Sequence, residues 1–368
     1  MSLLLANFGI SNYRCFFDLR LQRLGNVNLI VGRNSVGKSA LLEAMYLYAE
    51  AGNPSTMLKL VEYRQEYNFA LAQEQGASEL FGFLFHGFRM DADNAIKLGP
   101  LDDHKSAVTI RPGWYRLEDN AEGPRRVVPL KYPDLESEPA LLVSNWSTRD
   151  LVYPLKEKAP FYPSPRVRPQ QERLPVMYVP SGGLDPYDAG RLWDRIALTD
   201  LEDEVLSSLR LVLPTAQGLS LVAAQRREAS ARYGGGRIFV IKVSDLEKPV
   251  PVTSMGEGTQ RILSLALALL SARNGLLLID EIENGVHYTA LPKLWRFIFD
   301  VARRSKVQVF ATTHSWDCVE AFGRAATDYR ADMKSTLIRL ENRKGKISGV
   351  EFTEQELDIV TADGIEVR

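Results

Sequence analysis

The chain has 368 residues, a formal net charge of −1, 45% hydrophobic residues and two cysteines. That length holds one large domain with insertions, or two domains, with a sizeable core either way. The near-neutral charge excludes a global attraction to nucleic acid or to a membrane surface, so any such binding has to come from local patches. Cys15 and Cys318 stand far apart and form no Cys-x-x-Cys or Cys/His spacing, which argues against a zinc site and suits a reducing compartment. The N-terminus lacks a basic leader region, and the best apolar stretch, Ile262 to Leu270, is too short to span a bilayer. The expectation is a cytoplasmic protein with no membrane segment.

Residues 3 to 31 read as short strands, Leu3 to Ile10, Arg14 to Leu21 and Val27 to Val31. The third leads into Gly32-Arg33-Asn34-Ser35-Val36-Gly37-Lys38-Ser39 and then Ala40-Leu-Leu-Glu-Ala-Met45, good helix-forming sequence expected to run to about Glu50. Strand, glycine loop and helix are what a phosphate-binding loop requires. Gly32 and Gly37 let the backbone turn tightly so that successive N–H groups face a β-phosphate, and the helix N-terminus adds a favourable dipole. Lys38 supplies a point charge to the β- and γ-phosphates, and Ser39 a hydroxyl to Mg²⁺. The spacing GxxxxGKS after a strand is specific, and it displaces the plainer reading of a glycine turn with a chance lysine. Gly32 through Ala40 are therefore the candidate residues for a nucleoside triphosphate.

From Leu58 to Phe88 the pattern is mixed helical and aromatic, and Phe81, Phe83, Phe85 and Phe88 read as core rather than as a base-stacking platform. Fourteen of the 19 prolines fall between Pro100 and Pro186, which excludes a long helix or coiled-coil arm there. A β-rich lobe inserted over about 53–175 is expected instead. Val176 to Pro180 reads as the strand that returns the chain to the central sheet, and Ser181-Gly-Gly183 as a turn. Leu201, Val205, Leu209 and Leu213 recur on one helical face, so 184–237 reads as a helical arm. It ends in Arg226, Arg227, Arg232 and Arg237 around Gly234-Gly-Gly236. A solvated face is the plain reading of such a run, and contact with phosphate or nucleic acid the sharper one.

Thr253-Ser254-Met255-Gly256-Glu257-Gly258 opens a helix that starts near Ile262. Two glycines at a helix N-terminus make either an ordinary turn or a second phosphate cradle. One chain already has its loop at 32–39, so a second cradle is spare unless it serves a nucleotide held by another subunit. Leu276 to Ile279 is a buried-strand pattern ending in Asp280 and Glu281, and ligands of open α/β sheets sit beyond such strand ends. Asp280 is then placed to hold the Mg²⁺ shell and Glu281 to polarise an attacking water, with a helix N-cap pair as the alternative. A helix at about Ala290 to Arg304 precedes a last strand, Lys306 to Ala311, whose end Thr312-Thr-His314-Ser315 puts His314 where it can contact a γ-phosphate.

The order of these motifs resembles the ABC-type ATPases, within them the branch containing SMC, RecF and OLD-family proteins. Asn34, the run Glu281-Ile-Glu283-Asn-Gly285-Val-His287 and the Thr-Thr-His314-Ser ending are similar to the bacterial OLD-like "AAA family ATPases" of phage-defence loci. The resemblance covers about 1–50 and 250–318 well and the middle loosely. It implies an α/β fold, a P-loop NTPase of ABC-ATPase type with a mixed central sheet, flanking helices and an inserted lobe, as a single domain over 1–368. It also implies ATP and Mg²⁺ as ligands, with Lys38 and Ser39 on phosphate and metal. Asp280 would be the Walker B acid, Glu281 the catalytic base and His314 the switch histidine.

The resemblance further assigns Ser254, Gly256 and Gly258 to a signature loop contacting the γ-phosphate of another subunit, and Asn284 to His287 to a dimer-facing loop. Met255 stands where the family's LSGGQ has a glycine, which implies slow cross-subunit hydrolysis. Gln65 and the turn after Pro180 are the candidates for the family's lid, and Arg14 for its adenine contact. The implied activity is Mg-dependent hydrolysis of ATP to ADP and phosphate by a head-to-tail dimer or higher oligomer, the regulatory subunit of a phage-defence-type system. No long heptad arm is present, and only 54 residues follow His314, too few for an OLD-type nuclease domain. Any nuclease or toxin is expected in trans. The alternatives are a slowly or non-hydrolysing ATP-gated scaffold that sequesters an effector, and a RecF-like DNA-binding ATPase using Arg226 to Arg237.

Overall fold

The computed structural model describes residues 3–67, 77–91, 93–120, 123–155, 173–223, 236–353 and 356. A hairpin, β1 (Phe8–Tyr13) and β2 (Phe16–Leu21), leads to β3 (Val27–Val31), the glycine loop and α1 (Lys38–Ala49). Then come α2 (Pro54–Tyr63), α3 (Ala77–Gly82) and the strands β4 (Ile96–Gly99), β5 (Val108–Asn120), β6 (Gly123–Leu130), β7 (Glu138–Ser144) and β8 (Leu151–Pro154). β9 (Val176–Val179) precedes α4 (Pro186–Ile196), α5 (Asp200–Leu209), β10 (Ala216–Ala223), β11 (Arg237–Val243) and β12 (Val250–Pro251). The remainder is α6 (Glu257–Ser271), β13 (Leu276–Ile279), α7 (Leu291–Ser305), β14 (Gln308–Thr312), α8 (Trp316–Tyr329), β15 (Ser335–Arg343) and β16 (Lys346–Phe352).

The central sheet has the order β16-β15-β3-β14-β13-β9, parallel from β15 to β9 with β16 antiparallel at one edge. Every residue of β3, β13 and β14 is buried, as parallel strands covered on both faces must be. Alternation then sorts their side chains. Leu277, Ile279, Val309 and Ala311 enter one core with α6, α7 and α8, while Leu276, Leu278 and Phe310 enter a second core with α1 and the β1–β2 hairpin. Trp295 and Phe299 of α7 meet Phe322 of α8 in the first core. The Gly52-Asn53-Pro54 stretch that follows α1 also starts α2: Asn53 caps it by accepting the Ser55 N–H, and Pro54 takes the first turn.

Where it is described, the β-rich region expected over about 53–175 continues the N-terminal hairpin: β4 pairs with β1 in a seven-stranded antiparallel sheet, β2-β1-β4-β5-β7-β8 with β6 on β5. Two expectations are corrected. Among the described residues of 184–237 only α4 and α5 are helical. β10 then opens a three-stranded sheet with β11 and β12, because Leu219 and Leu221 follow a period of two rather than 3.6. The strand ending at Thr312 is not the last either, since β15 pairs in parallel with β3 and β16 returns beside it. Arg226, Arg227 and Arg232 of the basic run, with Gly234 and Gly235, lie outside the described residues. Among the described residues no helix is long and apolar enough to cross a membrane.

Candidate nucleotide site

The glycine loop leaves β3 with Gly32 at φ 145° and Gly37 at φ 93°, backbone that side chains with a Cβ rarely adopt. Space reinforces the requirement. A Cβ on Gly32 would lie 2.6 Å from the Leu340 carbonyl oxygen, and one on Gly37 would lie 2.5 Å from Cys15 Sγ. The β1–β2 turn thus lies directly against the loop. Gly37→Ala is expected to lower stability by about 1–3 kcal/mol from left-handed backbone alone, read from the denaturant midpoint; an unchanged midpoint would show that the loop relaxes out of that backbone region.

At the helix start, Lys38 Nζ donates to the carbonyls of Gly32 at 2.8 Å and Arg33 at 3.2 Å, and lies 3.4 Å from His314 Nδ1. Burial lowers the Lys38 pKa, and the nearby carboxylates of Asp280, Glu281 and Glu283 oppose that shift. Its hydrogen-bonding partners here are neutral carbonyls, so the ammonium charge remains available to phosphate oxygens. Ser39 Oγ donates to Asp280 Oδ1 at 3.0 Å, and Thr312 Oγ1 donates to the same oxygen at 2.6 Å. The ends of β13 and β14 and the start of α1 therefore meet at Asp280, which is 6% exposed.

Glu281 follows with φ 48°, and its N–H donates to Thr312 Oγ1 at 2.8 Å. This left-handed residue turns the chain off the strand end. One carboxylate oxygen lies 3.7 Å from His314 Nε2, and the other accepts from Asn284 Nδ2 at 3.0 Å. Glu283 Oε1 accepts the backbone N–H groups of His314 at 2.7 Å and Ser315 at 3.1 Å, fixing the loop after β14. A cavity of about 880 Å³ is lined by Asn34, Ser35, Gly37 to Ala40, Glu281 and His314. Arg14, Cys15, Arg64, Glu66, Gly87 and Phe88 complete its lining.

The donor set suits Mg²⁺ with a nucleotide. Ser39 and Asp280 offer one hydroxyl and one carboxylate, hard oxygens in the small number that Mg²⁺ takes from protein when phosphates and waters complete its shell. Among the described residues no group of three or more His, Cys, Asp or Glu side chains could hold a metal by itself.

Ser254, Gly256 and Gly258 are placed elsewhere. Ser254 lies in a short 3₁₀ turn, Val252–Met255, Gly256 caps α6 at φ 91°, and nothing lies within 4 Å of a Cβ built on it. Neither Ser254 nor Gly256 nor Gly258 lines the cavity that holds Lys38. Gly258 faces inward, where a Cβ would meet the Gly285 carbonyl oxygen at 2.5 Å. The loop expected to face a partner subunit therefore packs against the signature helix of its own chain.

Arg14 lines the cavity, and its guanidinium is paired with Glu43 at 2.6 Å and Glu66 at 2.7 Å. Gln65 does not line the cavity, whereas Arg64 and Glu66 beside it do. Arg237 pairs with Asp194 at 2.7 Å. Arg261 is the residue that sequence reasoning missed. Buried in α6, it donates to the carbonyls of Pro180 at 2.7 Å, Ser181 at 3.3 Å, Asp280 at 2.5 Å and Glu281 at 2.8 Å. Desolvation by that burial pulls its pKa down to about 10, against the field of Asp280, Glu283 and Glu281, so it stays charged at neutral pH. The signal was a lone arginine at the head of an apolar helical run.

A phosphate loop after β3, an acid pair after β13 and a histidine after the intervening β14 define a P-loop ATPase of the ABC type. The chain belongs to the family described as "AAA domain, putative AbiEii toxin, Type IV TA system", whose profile matches residues 27–317. A Helicobacter pylori (strain ATCC 700392 / 26695) protein named "ATP/GTP phosphatase" is 21% identical over 338 residues, 84% of this chain and 85% of that protein. Among solved structures, the SmcHead bound to the C-winged helix domain of ScpA overlaps with a TM-score of 0.48 at 12% identity, over 95% of this chain and 98% of that chain. The SMC head domain from Thermotoga maritima overlaps with a TM-score of 0.42 at 13% identity, over 95% and 99% respectively. The fold assignment rests on the strand order and loop geometry above, not on these overlaps.

Proposed function

We propose that the chain is a cytoplasmic, Mg-dependent ATPase whose catalytic site is completed by a second copy, and that it regulates an effector supplied in trans. The observation that carries this reading is the division of the site. Lys38, Ser39, Glu281 and His314 line one cavity, with Asp280 buried behind Ser39, while Thr253, Ser254, Gly256 and Glu257 are exposed outside it. A head-to-tail pair of chains would bring the second group over the first, in an arrangement closed by a two-fold axis.

In that site the loop amides and Lys38 hold the phosphates, and Ser39 and Asp280 are the residues that would hold Mg²⁺. When bound there, Mg²⁺ would supply neutralisation of the charge that the terminal phosphates carry. Glu281, held by Asn284, orients the attacking water and accepts its proton. His314, between Lys38 Nζ and the Glu281 carboxylate, contacts the γ-phosphate. Ser254 and Gly256 of the other subunit close over it. The family description, which refers to a toxin–antitoxin system, supports an effector partner, and the name of the Helicobacter pylori relative supports hydrolysis.

Mixing two defective proteins tests this. Lys38→Ala and Gly256→Arg are each expected to be inactive alone. In random heterodimers one of the two sites escapes both defects, so about a quarter of wild-type turnover returns on mixing. No recovery under conditions where the proteins dimerise would sink the composite site. A slowly hydrolysing scaffold remains the second reading, favoured by Met255 at the signature turn; it predicts wild-type turnover no faster than that of Glu281→Gln. DNA-stimulated turnover with a steep salt dependence would instead support the RecF-like reading.

A further inference from the structure

The cavity that Glu281 and His314 line also carries an aromatic ring that the hydrolytic chemistry does not use. Phe88 is 68% exposed and sits in left-handed backbone at φ 58°, after Gly87 at φ 68°. A bulky residue in that region is strained, and such strain persists only where the surroundings hold it. Here they do. Arg14 N donates to the Leu84 carbonyl at 2.9 Å, Tyr13 bridges to Phe85, and His86 Nδ1 lies 2.9 Å from the Arg14 carbonyl oxygen. The β1–β2 turn that fixes the 84–88 segment is the one packed against Gly37, so Phe88 is held in register with the phosphate loop. Phe83 meets the ring edge-on at 5.8 Å between centroids.

With the terminal phosphate near Lys38 and Glu281, the ribose and base would take up the rest of the same cavity, whose remaining lining residues are Arg14, Cys15, Arg64, Glu66, Gly87 and Phe88. Arg14 is tied to Glu43 and Glu66, and Arg64 to Glu43 at 2.8 Å. Phe88 is the one aromatic side chain among these lining residues.

We propose that Phe88 is the stacking surface for the nucleotide's base. The inference rests on the nucleotide reading above and adds how the base is recognised. An aromatic face accepts any base, so this cavity would take adenine and guanine alike.

Binding titrations with three probes test it: Mg-ATP, Mg-GTP and Mg-tripolyphosphate, which has the phosphates without a base. Phe88→Ala is expected to weaken ATP and GTP about tenfold or more, as loss of a base stack does, and to leave tripolyphosphate unchanged. Phe88→Trp is expected to restore both nucleotides. ATP affinity unchanged in Phe88→Ala overturns the proposal. An equal loss for tripolyphosphate also overturns it, since Phe88 would then be shaping the loop rather than holding the base. Wild-type protein that binds neither ATP nor tripolyphosphate removes the nucleotide reading itself, and this inference with it.

Discussion

Glu281→Gln is expected to reduce ATP turnover by about 10²–10⁴-fold, the usual worth of a positioned general base, while ATP binding is retained. The substitution is close to isosteric. Glutamine keeps an oxygen that can accept from Asn284 Nδ2, which lies 3.0 Å from the present carboxylate, and leaves Thr312 Oγ1 bonded to the backbone N–H at this position. What it loses is the proton acceptor next to His314. Phosphate release measured with saturating Mg-ATP, alongside an independent binding titration, separates chemistry from affinity. A fall of less than threefold would remove Glu281 from the role of base. Glu283 would not replace it readily, because its Oε1 is already bonded to the amides of His314 and Ser315.

Arg261→Ala is expected to destabilise the fold by about 3 kcal/mol or more, given that hydrogen bonds to a charged group are worth about 1.5–3 kcal/mol each and do not add fully. Four carbonyls, at Pro180, Ser181, Asp280 and Glu281, lose their donor at once. The same change frees the backbone that aims Asp280 and Glu281, so turnover falls beyond what unfolding explains. Arg261→Lys is expected to recover little, because a single ammonium cannot reproduce the planar fork that reaches both strand ends. Urea unfolding and turnover, measured well below the unfolding midpoint, check the two parts separately. A stable, fully active Arg261→Ala protein would show that the strand ends hold themselves.

Much of the central sheet was legible because buried parallel strands are nearly continuous apolar runs. Val27 to Val31, Leu276 to Ile279 and the segment before His314 announce themselves that way, and Gly32 and Gly37 mark the loop between strand and helix. Lateral order was less legible. Nothing local in Ile96–Gly99 says that it will pair with β1, and β15 becomes recognisable as core only once β3 needs a partner on its open side.

Side-chain fate was the least legible. The run of Phe81, Phe83, Phe85 and Phe88 looks uniform, yet Phe81 and Phe85 are fully buried while Phe88 is exposed, because Gly87 reverses the chain between them. The ion pairs of Arg14 were not legible because its acidic partners, Glu43 and Glu66, lie on other elements. Arg261 drew no reading because the carbonyls it serves come from the ends of β9 and β13.

The span from Glu281 to Gly285 carries a constraint of a different kind. Glu283 holds the two amides beyond β14, Asn284 reaches the Ser181 carbonyl oxygen at 3.2 Å, and Gly285 lies under Gly258. One residue added or removed here would break contacts with three neighbouring segments together. Solvent-facing connections absorb changes of length at little cost, but this stretch can vary by substitution only. It acts as a ruler, setting the distance between Glu281 at the cavity and Gly258 at the head of α6.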